Sequence, residues 1–133
     1  MDWEPLIRAA SETQGRAHAP YSRFHVGSAL LTANGAIFSG CNVENRSYGA
    51  TVCAERVALA GAVAAGDPTP VAIVVITDTS PPSLPCGLCL QALSEFAAPD
   101  LPINLVNPAS ESREFRLEEL LPHPFVLPDG DTG

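Results

Sequence analysis

Apolar residues recur at two periods along this chain, and the switches between them outline a fold. Trp3, Leu6, Ile7 and Ala10 fall on one side of a helix, and with Asp2 as a candidate N-cap they predict an amphipathic helix over residues 2–17. Such a helix packs by its apolar side against a sheet. Residues 25–33 and 36–41 are two apolar runs flanking Asn34-Gly35, a pair suited to the positive φ angles of a tight hairpin turn, so two antiparallel strands are expected. Residues 52–65 are rich in Ala, Val and Leu at helical spacing and are followed by Gly66, which predicts a helix buried on more than one face. Residues 71–77 (VAIVVIT) are an unbroken, mostly β-branched run, as in a central strand covered on both faces and parallel to a neighbour. Pro85 is preset for a helix entrance, and helical composition resumes over residues 86–97. A fourth strand over 101–106, a short fifth over 114–117 and a helical turn over 117–121 complete the pattern. From Pro122 onward prolines and glycines exclude a helix, and an extended tail is expected from about residue 126.

Helices alternating with strands after an initial hairpin imply an α/β fold. The expected form is a three-layer α/β/α sandwich around a mixed sheet of about five strands, with crossovers on both faces. Neither a repeat nor a linker interrupts residues 1–133, so one domain is expected. A hydrophobic share of 46% in 133 residues is enough for one packed core. The net charge of -8 disfavours nucleic acid and anionic membrane surfaces as partners. Without an apolar run near the roughly 18 residues of a membrane span, and without a basic then apolar N-terminus, the expected location is the cytoplasm. Four cysteines are too few for a disulfide scaffold in a chain with such a core, and metal binding or catalysis is the better use.

Cys86-Gly-Leu-Cys89 at a helix start lets two thiolates converge on one metal ion. Alone, that spacing also fits half of a structural zinc site or a redox dithiol. The discriminating feature is Cys53-Ala54-Glu55 at an earlier helix start, 86 − 53 = 33 residues upstream with one strand between. Together they resemble the motif of zinc-dependent deaminases. Three thiolates leave one coordination position open, the mark of a catalytic site, and Glu55 stands beside it as a proton carrier.

The chain as far as about Phe125 resembles the cytidine deaminases of the small, three-cysteine, homotetrameric class. Four segments in order carry the resemblance: Ala19-Pro-Tyr-Ser-Arg-Phe-His-Val-Gly, Gly40-Cys-Asn-Val-Glu-Asn45, Thr51-Val-Cys-Ala-Glu-Arg, and Leu120-Leu-Pro-His-Pro-Phe125. It implies a Zn2+ ion on Cys53, Cys86 and Cys89, with hydroxide formed there attacking the amine-bearing carbon of cytidine or 2′-deoxycytidine and Glu55 shuttling protons. Uridine or 2′-deoxyuridine and ammonia would result, a step of pyrimidine salvage. It further implies that Phe24 packs on the pyrimidine, Asn42 and Glu44 bind the ribose hydroxyls, and the backbone at Ala54 reads the base. Tyr48 and Phe125 would reach into a neighbouring subunit's site, and Arg56 and Gln91 would support the zinc site and its helix. Taken singly, Asn42 and Glu44 also fit a solvated loop, and Phe24, Tyr48 and Phe125 fit ordinary packing. Cys41 reads as a small buried hydrophobe, and His18, His25 and His123 lack ligand spacing. Leu90 stands where the family usually has arginine, removing one cation, and Arg46 replaces a small residue. A deaminase of the same fold acting on another aminated heterocycle, such as a nucleoside antibiotic, is the alternative.

Overall fold

Nine regular elements follow one another in the computed structural model, which describes residues 1–128. They are α1 (Glu4–Gln14), β1 (Gly27–Thr32), β2 (Ile37–Cys41), α2 (Ala54–Ala64), β3 (Pro70–Ile76), α3 (Gly87–Phe96), β4 (Pro102–Val106), β5 (Ser112–Arg116) and α4 (Leu117–Leu120), with a 3-10 turn at Tyr48–Ala50 before α2. The five strands form one mixed sheet in the order β2-β1-β3-β4-β5. The β3–β4 pair is parallel, and the other neighbours are antiparallel. The hairpin closes as its sequence demands. Leu31 pairs with Ile37, Gly35 takes a φ of +87°, and the Thr32 and Gly35 amides donate within the turn. The first helix is shorter than residues 2–17, beginning with Trp3 at the cap while Asp2 accepts the Glu4 amide at 3.1 Å.

Alternating side chains of β3 enter two separate cores, the consequence of a two-residue period in a strand covered on both sides. Ile73 and Val75 join Leu30, Ile103 and Leu105 against Ala58, Leu59 and Ala62 of α2 and Leu93 of α3. Ala72, Val74 and Ile76 face Leu6 and Ala10 of α1. The three layers are therefore those expected, but the crossovers are not divided between faces. Both α2 and α3 lie on one side, and α1, which is no crossover, covers the other. Handedness supplies the reason. Passing from β2 to β3 and from β3 to β4 the chain moves in one direction across the sheet, and right-handed crossovers that move the same way fall on the same face.

That common face puts the starts of α2 and α3 side by side. The approach is close: a Cβ on Gly40 of β2 would lie 2.7 Å from both the Ala54 oxygen and the Ala58 nitrogen, so only glycine lets the first turn of α2 rest on the strand. After α4 the chain from Pro122 to Pro128 is exposed, and the rest of the expected tail lies outside the described residues. No helix among the described residues is long and apolar enough to cross a membrane.

Candidate active site

The two helix starts on the shared face bring three thiols together. Cys53 and Cys86 occupy the N-cap positions of α2 and α3 in extended backbone conformation, and Cys89 lies in the first turn of α3. Their sulfur atoms lie within 4.8 Å of one another, Cys53 at 3.7 Å from Cys86 and Cys86 at 3.4 Å from Cys89. Thiolates about 2.3 Å from one tetrahedral ion stand about 3.8 Å apart, so the spacing and the soft donor set both fit zinc. Positive ends of two helices favour the negative charge that such ligands carry. Arg56, one turn into α2, donates from Nη2 to the Cys53 sulfur at 3.7 Å. Hydrogen bonding from Cys89, with Arg56 and Cys86 adding to it, brings the Cys53 thiol down to about 5. Cys89 is shifted the other way, its pKa raised by its bond to Cys53 and by burial.

A cavity of about 300 Å³ opens on this cluster. Its walls include Cys53, Cys86, Ala54 and Glu55 from the helix starts, Phe24 and Asn42 from the β1 and β2 ends, and Glu44 beyond them. Glu55 is 5% exposed, and burial pushes its carboxyl up to about 7. The same walls hold groups that the motifs do not single out, namely Ser22, Thr51, Thr77 and Leu84. Of these Ser22 and Thr51 had a signal, since they belong to the Pro-Tyr-Ser and Thr-Val-Cys-Ala-Glu segments. Among the described residues neither arginine nor histidine lines the cavity, and the chain has no lysine.

Asn42 and Glu44 both reach this cavity, and both also organise it. The Asn42 amide accepts from the Val26 amide at 2.9 Å and donates to the Phe24 carbonyl at 2.7 Å, fixing the backbone on both sides of His25. Glu44 accepts from the Tyr21 and Ser22 amides at 3.0 and 3.1 Å and from the Ser22 hydroxyl. The hydroxyl bond is the main cause of a carboxyl pKa below its ordinary value. An anchored carboxylate and a half-engaged amide keep further lone pairs and one N–H for a bound molecule.

The remaining candidates lie at the rim or beyond it. Tyr48, 81% exposed, lines a neighbouring groove that shares Ser22, Glu44 and Thr51 with the cavity. Phe125 is 68% exposed and does not line the cavity of its own chain. Gln91 makes its side-chain bonds away from the thiols. Its Oε1 accepts from the Phe125 amide at 2.9 Å and its Nε2 donates to the Phe125 carbonyl at 3.1 Å, so it ties α3 to the C-terminal segment. Leu90 is buried in the core with Leu93 rather than turned toward the sulfurs. Cys41 stands outside the thiol cluster and is only half-buried.

Comparison with known proteins is consistent across sequence and structure. Residues 2–105 match the family model described as the cytidine and deoxycytidylate deaminase zinc-binding region. Cytidine deaminase of Halalkalibacterium halodurans is 43% identical over 97% of this chain and 98% of its own length. That of Sporosarcina psychrophila is 41% identical over 97% and 95%. A crystal structure of cytidine deaminase from Burkholderia pseudomallei superposes with a TM-score of 0.89 at 45% identity, covering 94% of this chain and all of that one.

Proposed function

This chain belongs to the cytidine and deoxycytidylate deaminase family, and on that premise we propose that it hydrolyses cytidine and 2′-deoxycytidine to uridine and 2′-deoxyuridine with release of ammonia. The observation that carries the reading is one buried carboxyl and two sugar-compatible polar groups in a single cavity that opens on a cluster of three convergent thiols. Cys53, Cys86 and Cys89 hold the ion, and zinc when bound supplies the Lewis acidity by which water becomes a nucleophile near neutral pH. Arg56 offsets the negative charge of the three thiolates from outside the ligand set.

Glu55 carries the protons. It takes one from water and delivers it to the ring nitrogen as the water oxygen bonds to the amine-bearing carbon. It then moves the proton of the new hydroxyl to the amine, whose bond to carbon breaks to release ammonia as that oxygen becomes the carbonyl and the first proton stays on the ring nitrogen. Phe24 packs on the pyrimidine, the backbone at Ala54 bonds the base, and Asn42 and Glu44 bond the sugar hydroxyls. Glu44 beside the sugar, in a cavity without basic residues, favours an uncharged nucleoside over a nucleotide. Such a reaction serves pyrimidine salvage in the cytoplasm. Tyr48 and Phe125, exposed in one chain, complete the sites of neighbours in a homotetramer, and Gln91 holds the segment that carries Phe125.

Ammonia release from zinc-loaded protein incubated in parallel with cytidine, 2′-deoxycytidine, cytosine and CMP tests the proposal. Turnover of the two nucleosides with little from cytosine or CMP is expected. Activity confined to another aminated heterocycle would replace the substrate assignment while leaving the chemistry in place.

A further inference from the structure

Resting on the deamination reading, we propose that Thr77 is a positioning residue for the reaction: its hydroxyl takes the Ser83 amide and so fixes the segment that brings Leu84 to the cavity. Thr77 directly follows Ile76, the last residue of β3, and its amide still donates to the Val106 carbonyl at 3.1 Å. By alternation its side chain shares the face of Val75, and both line the cavity. The place is buried, with Thr77 only 2% exposed. An apolar β-branched residue would fill it equally well, so the hydroxyl needs a reason.

The reason lies in the loop that follows. Between Thr77 and the α3 N-cap at Cys86 stand Pro81, Pro82 and Pro85, none of which has an amide to donate. A loop so poor in backbone donors is held by side chains instead. Thr77 Oγ1 accepts the Ser83 amide at 3.1 Å, and the hydroxyls of Thr77 and Ser83 lie 3.2 and 2.6 Å from that of Thr79. Thr79 donates its own proton to the Pro81 carbonyl at 2.9 Å. Because a hydroxyl has one proton, Thr77 and Ser83 must both donate to Thr79, and all three hydroxyls are engaged. From outside, Asn107 donates to the Thr79 carbonyl and Arg113 to the Pro82 carbonyl, both at 3.0 Å, and both stop short of Ser83.

Ser83 is followed at once by Leu84, whose side chain lines the cavity although it is 54% exposed. Such a side chain is placed by its backbone more than by packing, and Pro85 restricts that backbone to extended conformation. The Thr77 bond therefore sets where Leu84 stands, and with it the width of the cavity around a planar heterocycle. An apolar wall meets the ring alike before and during reaction, so its displacement falls on KM rather than on kcat. Cys86 lies beyond Pro85 at the α3 N-cap, where the helix start sets its place.

Steady-state kinetics of zinc-loaded Thr77→Val, together with amide hydrogen exchange at Ser83, test the assignment. Valine keeps the volume and removes the hydroxyl, so exchange at Ser83 should quicken about tenfold. KM for cytidine should rise about fivefold with kcat within about twofold of wild type, and zinc content should hold. Thr77→Ser, which restores the hydroxyl, should return both readings to near wild type, whereas Leu84→Ala should raise KM and leave exchange at Ser83 unchanged. Should Thr77→Val fail to fold, Thr79→Ala at an exposed position takes its place and should move both readings the same way. Unchanged exchange, unchanged KM, a loss confined to kcat, or Thr77→Ser as impaired as Thr77→Val would each overturn the assignment. Wild-type protein inactive on cytidine would instead refute the reaction itself, while exchange at Ser83 in the variant still decides the bond.

Discussion

Leu90 lies between Cys89 and Gln91 in sequence but turns into the core with 6% exposure. By sequence alone, leucine in place of the usual arginine reads as a lost cation beside the zinc site. In the fold it is a packed aliphatic side chain. Leu90→Arg should therefore overpack the core and strand an unpaired charge, costing about 3 kcal/mol or more and lowering Tm by roughly 10 °C. A variant with unchanged Tm and an acid-shifted pH-rate profile would restore the electrostatic reading. Glu55→Gln asks about chemistry alone, because the amide matches the carboxyl in size. Zinc content and Tm should hold while turnover falls by at least about 10⁴, the upper end for general acid-base catalysis. Cys86→Ala should lose metal and activity together, checked by metal analysis. Glu44 provides a titration free of the metal. Its folded pKa lies below the ordinary value, so its stabilising bonds are fully present above the unfolded pKa and are lost as pH falls through the folded one. NMR shifts of the Tyr21 and Ser22 amides should titrate with a midpoint below the ordinary carboxylate value, and a midpoint at or above it would exclude the anchoring role. The residue types of the site were legible in the sequence because zinc chemistry demands particular donors at particular spacings. Their partners were not: the bonds of Asn42 to the Phe24 and Val26 backbone and of Gln91 to Phe125 depend on how distant segments meet.

Elements were easiest to read where one local cause was enough. Asn34-Gly35 specifies its turn through backbone sterics, and the two-sided burial of β3 is written in an unbroken apolar run. Placement of both crossovers on one face followed instead from strand order, which periodicity does not encode. Gly40 belongs to the same category, since nothing in Ser39-Gly40-Cys41 announces that α2 will touch it. Its contact sets the height of the α2 start, and hence of Cys53 and Glu55, above the sheet. Gly40→Ala places a methyl group 2.7 Å from helix backbone, so α2 must move outward. We expect a loss of about 1–3 kcal/mol in stability from overpacking. At least a tenfold fall in kcat/KM should accompany it, because a displacement near 1 Å is enough to spoil a catalytic arrangement. Thermal melting and steady-state kinetics on zinc-replete protein measure both, and wild-type values for both would show that the contact does not position the site.

For the whole molecule, the question is whether one chain contains a complete site. Within a chain the cavity holds Cys53, Cys86, Glu55, Asn42 and Glu44, whereas Phe125 lies exposed outside it, fixed through its backbone to Gln91. Clamping the backbone of an aromatic residue while leaving its ring in water does little for the stability of a lone chain. The arrangement has a use when the ring enters a neighbour. Phe125→Ala should therefore leave the chain folded, as exposed truncations do, yet reduce turnover, and Glu55→Ala should abolish it. Because closed symmetric assembly gives every copy the same relation to its neighbour, co-assembling the two variants creates some sites with Glu55 from one chain and Phe125 from another. With random mixing those make up roughly a quarter of all sites, so activity should rise toward that fraction of wild type after the two variants are unfolded and refolded together. Recovery requires mixed oligomers, which mass spectrometry of differently tagged chains verifies. Verified mixed oligomers no more active than the separate variants would mean that each pocket is built within one chain.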